Sequence, residues 1–279
     1  MSSEAMPRNS FPDSRILRDR PHDLISLHGK VAIVTGGASG IGAATAQLFA
    51  AQGARAVVIA DVQDELGRGV ANSIGGGYRC TFFHCDVADE AQVRSMVEHT
   101  VQTYGRLDIM FSNAGMINSR RSLLDLDVDA LDRLFSVNVR GMAACVKHAG
   151  RAMVEGKVKG SIICTASVRG STGAELLADY VMSKHAVLGL MRSASIELGK
   201  YGIRVNCVSP YAVATPLLCE AYGMEGGEAL EKMYSEKTCL KGVVLKAKHI
   251  ADAVFFLASD QSAFVSGHNL VVDGAYVAR

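Results

Sequence analysis

Seven short runs of apolar and β-branched residues recur along the chain, separated by longer segments with helical spacing. The runs are continuous and do not alternate apolar with polar positions, which is typical of strands buried on both faces of a sheet. Strands that alternate with helices favour right-handed crossovers and a parallel sheet. The predicted strands lie at residues 31–35, 56–60, 80–84, 107–111, 161–165, 203–208 and 270–272.

Apolar positions three or four residues apart mark the helices between these runs. The first helix is predicted to end near Gly53, a candidate C-cap, and a later one to begin after Asp89 and end near Gly105. The stripes that indicate helices are Ile41, Thr45, Leu48 and Phe49; Val93, Val97 and Val101; Leu131, Leu134 and Phe135; and Val187, Leu190 and Met191.

This order of elements predicts an α/β fold: a single doubly wound (Rossmann) domain over residues 28–279, with a seven-stranded parallel sheet flanked by helices. One long departure from the alternation occupies residues 210–246, between the sixth strand and the last helix. An insertion of that length in a compact domain is usually functional and is often a lid over a site.

The first 27 residues are polar and irregular and lack the apolar core of a secretory signal. Their arginines would suit a transit peptide, whereas their acidic residues contradict the acid-poor composition of such peptides. We therefore expect a flexible N-terminal arm on a cytoplasmic protein. The arginines are Arg8, Arg15, Arg18 and Arg20, and the acids are Glu4, Asp13, Asp19 and Asp23.

Charge and composition exclude several classes of function. The net charge is +1 with no basic run, so neither a nucleic-acid nor a membrane partner is expected, and no apolar stretch is long enough to span a bilayer. The seven cysteines form an odd set without a Cys-x-x-Cys pair, which favours a reducing compartment. The eight histidines show no ligand spacing, and no metal is assigned.

A glycine-rich turn follows the first predicted strand, from Thr35 to Gly42. Gly36, Gly40 and Gly42 would let the chain turn sharply and bring backbone N–H groups close to a pyrophosphate. The helix that begins near Ser39 would then direct its positive end at the phosphates. A glycine triplet alone is weak evidence, but a strand before it and a helix after it indicate a dinucleotide site.

Asp61 ends the second predicted strand, nineteen residues after Gly42, where an acid would bind the adenosine ribose hydroxyls. A carboxylate there repels a 2′-phosphate, and Ala38 offers no basic group to hold one, so NAD is the predicted cofactor. The alternative for Asp61 is a solvated strand end, and the alternative for residues 86–87 and 113–115 is that they are ordinary loop residues. The predicted cofactor-binding residues are Gly36, Ser39, Gly40, Ile41, Gly42, Asp61, Val62, Asp86, Val87, Asn113, Ala114, Gly115, Tyr180 and Lys184.

Tyr180 and Lys184 stand four residues apart, so on a helix both side chains share one face. A tyrosine has an ordinary pKa of about 10, too high for a base at neutral pH. A nearby ammonium in a site that excludes water would lower the pKa of this phenol, and an oxidised nicotinamide would add a second positive charge. Ser167, after the fifth strand, could hold the substrate oxygen while Tyr180 transfers the proton.

Asn138 lies in an otherwise apolar stretch that is predicted to be helical. A buried amide needs hydrogen-bond partners, so Asn138 is either a functional residue or one satisfied by the backbone. Asp179 and His185, beside the Tyr–Lys pair, are expected to be surface residues.

These motifs resemble the classical short-chain dehydrogenase/reductase family from about Leu27 to Gly274. The family's Thr-Gly-x-x-x-Gly-x-Gly turn matches Thr35 to Gly42. Its Asn-Asn-Ala-Gly element appears with Ser112 in place of the first asparagine. The resemblance implies a catalytic tetrad of Asn138, Ser167, Tyr180 and Lys184, with a water-linked proton relay through Asn138 and Lys184.

Within that family, residues 209–217 resemble plant secoisolariciresinol and borneol dehydrogenases and momilactone-type oxidases. The wider family usually has glycine where Tyr211 stands. The resemblance implies contacts of Val213 and Thr215 with the nicotinamide carboxamide. It also implies a homotetramer with C-terminal ends packed between subunits.

The predicted substrate side is mostly apolar, which favours a hydrophobic alcohol over a sugar or hydroxy acid. We therefore expect NAD-dependent oxidation of a secondary alcohol on a terpenoid, such as a monoterpenol like borneol, or on a lignan. The alternatives are an NADPH-dependent carbonyl reductase and a non-catalytic dinucleotide-binding protein. The predicted substrate residues are Ser167, Val168, Tyr180, Tyr211, Leu217 and Leu218, with Met116, Ile117, Tyr222 and Met224 at the rim.

Overall fold

A seven-stranded parallel sheet with the order β3-β2-β1-β4-β5-β6-β7 forms the centre of the molecule. The structure is a computed structural model, and it describes residues 26–278. Every pair of neighbouring strands runs parallel. The strands are β1 (Val31–Thr35), β2 (Ala56–Asp61), β3 (Cys80–His84), β4 (Ile109–Ser112), β5 (Ser161–Thr165), β6 (Arg204–Pro210) and β7 (Asn269–Val272).

The seven predicted strands are confirmed, and β4 shows the largest shift at its start. It begins at Ile109, and Asp108, just before it, directs its carboxylate toward neighbouring groups. Asp108 accepts hydrogen bonds from the Val31 backbone N–H at 2.9 Å and from the Arg106 guanidinium at 2.5 and 2.8 Å. Both oxygens of this buried carboxylate are therefore hydrogen-bonded.

Nine α-helices lie in the described part of the chain. Asp89 caps one of them as predicted, accepting from the Ala91 N–H at 2.9 Å, and Gly105 ends it in a left-handed conformation. The helices are α1 (Gly40–Ala51), α2 (Asp64–Ser73), α3 (Glu90–Tyr104), α4 (Val128–Phe135), α5 (Met142–Glu155), α6 (Ala178–Gly199), α7 (Pro216–Ala221), α8 (Glu228–Ser235) and α9 (Ala247–Ala258).

The helices cover both faces of the sheet, and this produces two apolar cores. In β1, Val31 and Ile33 point into the core formed with α3, α5 and α6, while Ala32 and Val34 point into the core formed with α1, α2 and α9. Because side chains alternate across a strand, a strand covered on both faces needs apolar residues at every position. That requirement explains the continuous apolar runs in the sequence.

The insertion at residues 210–246 contains α7 and α8 rather than a structureless loop. Of the predicted N-terminal arm, residues 1–25 lie outside the described residues. Between residues 26 and 278, no helix combines the length and apolar character that crossing a membrane requires.

Candidate active site

A cavity of about 530 Å³ opens at the carboxyl ends of the strands. It lies between β1 and β4, because the chain continues to one side of the sheet after β1 and to the other side after β4. Open α/β sheets bind ligands at such a switch point. Of the predicted catalytic, cofactor-binding and substrate residues, leaving the rim residues aside, all but two line this cavity. The lining includes Gly36, Ser39, Gly40, Ile41, Asp61, Val62, Asp86, Val87, Asn113, Ala114, Gly115, Ser167, Val168, Tyr180, Lys184, Tyr211, Val213, Thr215, Leu217 and Leu218.

Gly42 is one of the two exceptions, because it lies behind the glycine-rich turn. A β-carbon on Gly42 would stand 2.0 Å from the carbonyl oxygen of Gly36. Gly36 itself has φ of +64°, and a β-carbon there would lie 2.9 Å from the Cα of Ala114. The turn therefore requires glycine at both positions, at Gly36 for its backbone conformation and at Gly42 for close packing.

Replacing Gly42 with alanine should weaken dinucleotide binding at least roughly tenfold, because the turn must open to admit the methyl group. The measurement is NADH affinity by fluorescence titration, together with the unfolding temperature. Gly69→Ala is the matched control, since it is also a helical glycine but its β-carbon would meet open space. Equal NADH affinity in the two variants would contradict the role given to Gly42.

The turn leads into the N-terminus of α1, which has the features of an anion site. The cap residue Ser39 makes no side-chain capping hydrogen bond, and the first turn of α1 contains no acidic residue. Both Ser39 and Gly40 line the cavity. The N–H groups left unpaired at a helix start and the positive end of the helix can therefore bind a phosphate.

Asp61 lies at the end of β2 and is 7% exposed. One carboxylate oxygen accepts the Ala38 N–H at 3.0 Å, and the other accepts the backbone and side chain of Gln63 at 3.0 and 3.2 Å. These bonds fix the carboxylate on the cavity wall. A carboxylate oxygen can accept more than one bond, so acceptor capacity is left for a diol.

Asn113 joins the ends of three strands beneath the cavity. Its amide donates to the carbonyl oxygens of Thr35 and Gly36 at 3.1 and 3.3 Å, and its Oδ1 accepts from the Thr165 hydroxyl at 3.0 Å. The Thr35 hydroxyl in turn accepts the N–H groups of Asn113 and Ala114. This network holds the glycine-rich turn against β4 and β5, so Asn113 supports the site as well as lining it.

Tyr180 and Lys184 lie one turn apart on α6, as predicted, with the Lys184 Nζ 5.5 Å from the centre of the Tyr180 ring. Lys184 is buried and donates to the Thr165 carbonyl oxygen at 2.9 Å. Burial lowers the pKa of Lys184 to about 8. Its ammonium is thus held close to the phenol by the main chain of β5.

The pKa of Tyr180 differs from the sequence-based expectation. Burial raises it to about 12, and this outweighs the lowering by the Ser167 hydroxyl bond and by the charge of Arg169. Desolvation disfavours the charged form of any acid, and that effect depends on the packing around the side chain. The protein by itself therefore keeps the phenol neutral, opposite to the predicted direction.

Asn138, the second exception, lies beneath the cavity wall. It occupies a π-helical turn, Ser136–Gly141, between α4 and α5. Its Oδ1 accepts the Met116 N–H at 2.8 Å, while its amide donates to the Met116 carbonyl oxygen at 2.9 Å and to the Ser183 hydroxyl at 3.2 Å. The structure thus shows a buried amide satisfied mainly by backbone, and it connects the loop after β4 with α6.

Asp179 was expected at the surface, and this expectation is wrong. Its carboxylate is buried, with one oxygen accepting from the Asn118 side chain at 2.8 Å and the other from the Tyr180 N–H at 2.7 Å. The first turn of a helix favours a negative charge, so Asp179 stabilises the start of the helix that carries Tyr180. His185 is exposed, as predicted.

The substrate side of the cavity contains residues that the sequence analysis missed. Arg169 lines the cavity two positions after Ser167, and Tyr234 lines it from α8. Met224, predicted at the rim, is not among the lining residues, whereas Met116, Ile117 and Tyr222 are. The short spacing from Ser167 could have indicated Arg169, but only the folded insertion brings Tyr234 to the cavity.

The described residues hold no group of three His, Cys, Asp or Glu side chains placed to bind a metal ion. Five of the seven cysteines are buried, and none forms a disulfide among these residues.

Comparison with known proteins assigns the chain to a family. A family model described as enoyl-(acyl carrier protein) reductase matches residues 36–276. The (−)-isopiperitenol/(−)-carveol dehydrogenase of Mentha piperita, named as mitochondrial, is 57% identical over 249 residues, which cover 89% of this chain and 93% of that protein. A (+)-cis,trans-nepetalactol synthase of Nepeta racemosa is 56% identical over 253 residues, covering 89% and 94%.

Solved structures give the same family. A short-chain type dehydrogenase/reductase from Mycobacterium marinum superposes with a TM-score of 0.84 at 32% sequence identity, covering 92% of this chain and 99% of that one. The glycine-rich turn, the parallel sheet and the Tyr–Lys pair on α6 agree with these matches. The chain therefore belongs to the classical short-chain dehydrogenase/reductase family, whose oxidoreductases use a nicotinamide dinucleotide.

Proposed function

We propose that the protein oxidises a secondary alcohol of a hydrophobic specialised metabolite, a terpenoid or a lignan, with NAD as the hydride acceptor. The observation that carries this proposal is that Ser167, Tyr180 and Lys184 lie on the wall of the same cavity as the glycine-rich turn and Asp61. Relatives named for isopiperitenol, carveol and nepetalactol support a terpenoid as the substrate class.

The residues present fit a nicotinamide dinucleotide. The β-carbon that Gly36 lacks would fill the turn, the N-terminus of α1 offers N–H groups for the pyrophosphate, and Asp61 offers oxygens for the ribose. Val213 and Thr215 line the same cavity and, by the family resemblance, would contact the carboxamide. An oxidised nicotinamide held by these residues would supply a hydride acceptor for the carbinol carbon and a positive charge beside the phenol.

The protein's own residues would move the proton. Tyr180 takes the proton of the substrate hydroxyl as general base, while the Ser167 hydroxyl holds the substrate oxygen. The Lys184 ammonium stabilises the phenolate, because the Thr165 carbonyl fixes it beside the ring. Asn138 positions the Met116 loop next to this group and, by the family resemblance, takes part in a water-linked relay.

Replacing Asp61 with serine should reduce the preference for NAD over NADP by about 10- to 100-fold, because a hydrogen bond to a charged group and its repulsion of a phosphate are both lost. The measurement is kcat/KM for the two cofactors with one alcohol. Asp252→Ser, an exposed acid on α9, is the matched control. Comparable kcat/KM values with both cofactors in the wild-type protein would instead favour the NADPH-dependent carbonyl reductase.

The substrate class is tested by incubating the protein and NAD with monoterpenols, lignans, a steroid alcohol and sugars, followed by product analysis. We expect NADH formation with the terpenols or lignans. Turnover of the polar alcohols alone would reject the hydrophobic substrate. Since three relatives from Nepeta racemosa are named nepetalactol synthases, a parallel reaction without NAD shows whether a terpenoid is rearranged without oxidation.

Two further proposals concern assembly and location. We expect a homotetramer, which light scattering after size-exclusion chromatography would test. We also expect the cytoplasm, although the mint relative is named as mitochondrial. Imaging of the full chain fused at its C-terminus to a fluorescent protein distinguishes the two compartments.

A further inference from the structure

The C-terminal turn, defined as residues 273–277, is held in place by several hydrogen bonds. Asp273 is 8% exposed, and its two carboxylate oxygens accept the N–H groups of Ala275 at 2.9 Å and Val277 at 2.8 Å. The Gly274 carbonyl oxygen accepts two N–H groups from the loop after α8, those of Cys239 and Leu240. Hydrogen bonds within the turn and to the loop after α8 therefore fix its conformation.

One residue of this turn has a strained backbone. Ala275 has φ of +63°, which a residue with a β-carbon seldom adopts. Such a conformation is kept only where the surrounding bonds require it, and it often marks a functional position. Its consequence here is the placement of the next residue, Tyr276.

Tyr276 holds two residues of the cavity wall. Its hydroxyl accepts a hydrogen bond from the Arg169 Nη2 at 3.1 Å, and its ring stacks on Tyr211 with a centroid distance of 4.1 Å and an angle of 22°. Tyr211 is 6% exposed and lines the cavity, as does Arg169. We call Arg169, Tyr211 and Tyr276 the tyrosine clamp.

Each end of the clamp reaches a different part of the site. Arg169 donates its backbone N–H to the Ser167 hydroxyl at 3.1 Å, so it belongs to the turn that carries the predicted substrate-binding serine. Tyr211 stands edge-on to Tyr234 at 5.4 Å, and the hydroxyls of Tyr234 and Tyr222 are hydrogen-bonded. With one face of Tyr211 on Tyr276 and its side on Tyr234, the ring has little freedom to move.

We propose that the C-terminal turn determines which alcohols the cavity accepts, because Tyr276 fixes Arg169 and Tyr211 as a rigid wall of the substrate compartment. The inference rests on the proposed oxidation of a hydrophobic alcohol and adds a size limit to it. A rigid aromatic wall favours a compact cyclic alcohol, since a larger skeleton needs Tyr211 to move. Tyr276 acts through its neighbours and is a specificity-determining residue.

The test compares wild type, Tyr276→Phe and Tyr276→Ala on a compact monocyclic alcohol, carveol, and a bulky one, a tetracyclic 3-hydroxysteroid. We expect the ratio of kcat/KM values to shift toward the steroid by roughly twofold in the phenylalanine variant, which keeps the stack, and by about fivefold or more in the alanine variant. The KM for NAD should stay unchanged. Tyr201→Ala, an exposed tyrosine at the end of α6, is the matched control.

Two kinetic outcomes would overturn the clamp: an equal fall of kcat/KM for both alcohols, or the same shift in Tyr201→Ala. The clamp is also tested without catalysis, by titrating both alcohols into the NADH complex. The ratio of the two dissociation constants should shift toward the steroid, as the kcat/KM ratio does. Amide hydrogen exchange at residues 167–171 and at Tyr211 should also accelerate in Tyr276→Ala, and unchanged exchange would refute the clamp. If wild type binds both alcohols as expected but oxidises neither, the proposed function fails while the clamp stands.

Discussion

Tyr180→Phe is expected to lower kcat for alcohol oxidation by about 10²- to 10⁴-fold, the range that a positioned general base contributes. The substitution removes only the hydroxyl, and the ring keeps its place on α6 beside Lys184. Substrate and cofactor binding should change little, since the lost group acts mainly when the proton moves. The measurement is NADH formation at saturating alcohol and NAD.

Tyr201→Phe provides the control, because this tyrosine is exposed and lies outside the cavity. NADH affinity should be the same in wild type and in both variants. If Tyr180→Phe left kcat unchanged, Tyr180 would not be the base. If wild type bound NADH but turned over none of the alcohols or ketones offered, the non-catalytic alternative would be favoured.

Lys184→Met is expected to reduce kcat/KM by about 100-fold or more, because the phenolate loses its neighbouring cation and the cavity loses a polar contact. In wild type, kcat/KM should rise with pH, since oxidation requires the phenolate, and the Lys184 charge that favours the phenolate is present below the lysine's pKa of about 8. The burial that raises the pKa of Tyr180 acts against ionisation. Without the ammonium, the rise should move to higher pH.

Lys184→Met is expected to lower activity but to raise stability, and this difference separates a catalytic role of Lys184 from a structural one. Folding lowers the pKa of Lys184 from 10.5 to about 8, so the charged form is disfavoured in the folded protein. That cost is fully present below about pH 8 and disappears as the pH rises past 10.5.

Lys184→Met should therefore be more stable than wild type at pH 7, by about 1 to 3 kcal/mol, and this gain should shrink toward pH 10.5. Urea unfolding at both pH values measures the difference. Lys248→Met, an exposed lysine of α9, is the control and should show no such pH dependence. A destabilised Lys184→Met at pH 7 would show that the bond to Thr165 outweighs the cost of burying the charge.

Sequence-based prediction and structure agree most closely for elements whose residues are constrained by their immediate neighbours in the chain. The strands were predictable because burial on both faces demands continuous apolar runs, and α3 because Asp89 and Gly105 satisfy its ends. Helix α2 received no prediction. Its Gly67 and Gly69 are poor helix formers, and few of its positions are buried.

The site shows the same division. The position of Tyr180 beside Lys184 follows from four-residue spacing on a helix, a property of the chain alone. The burial of Asp179 does not, because it depends on Asn118, 61 residues earlier in the chain. The π-helical turn that holds Asn138 likewise depends on its bonds to the Met116 loop.

The sequence by itself determined the parallel α/β fold, the glycine-rich turn and most of the residues around the cavity, because periodicity, glycine geometry and helical spacing act over a few residues. Only the tertiary structure decided the electrostatics and the shape of the site. The pKa of Tyr180 is raised by packing that no local pattern encodes. The stack of Tyr211 on Tyr276 joins residues 65 positions apart, and contacts at that distance form only when the whole sheet is assembled.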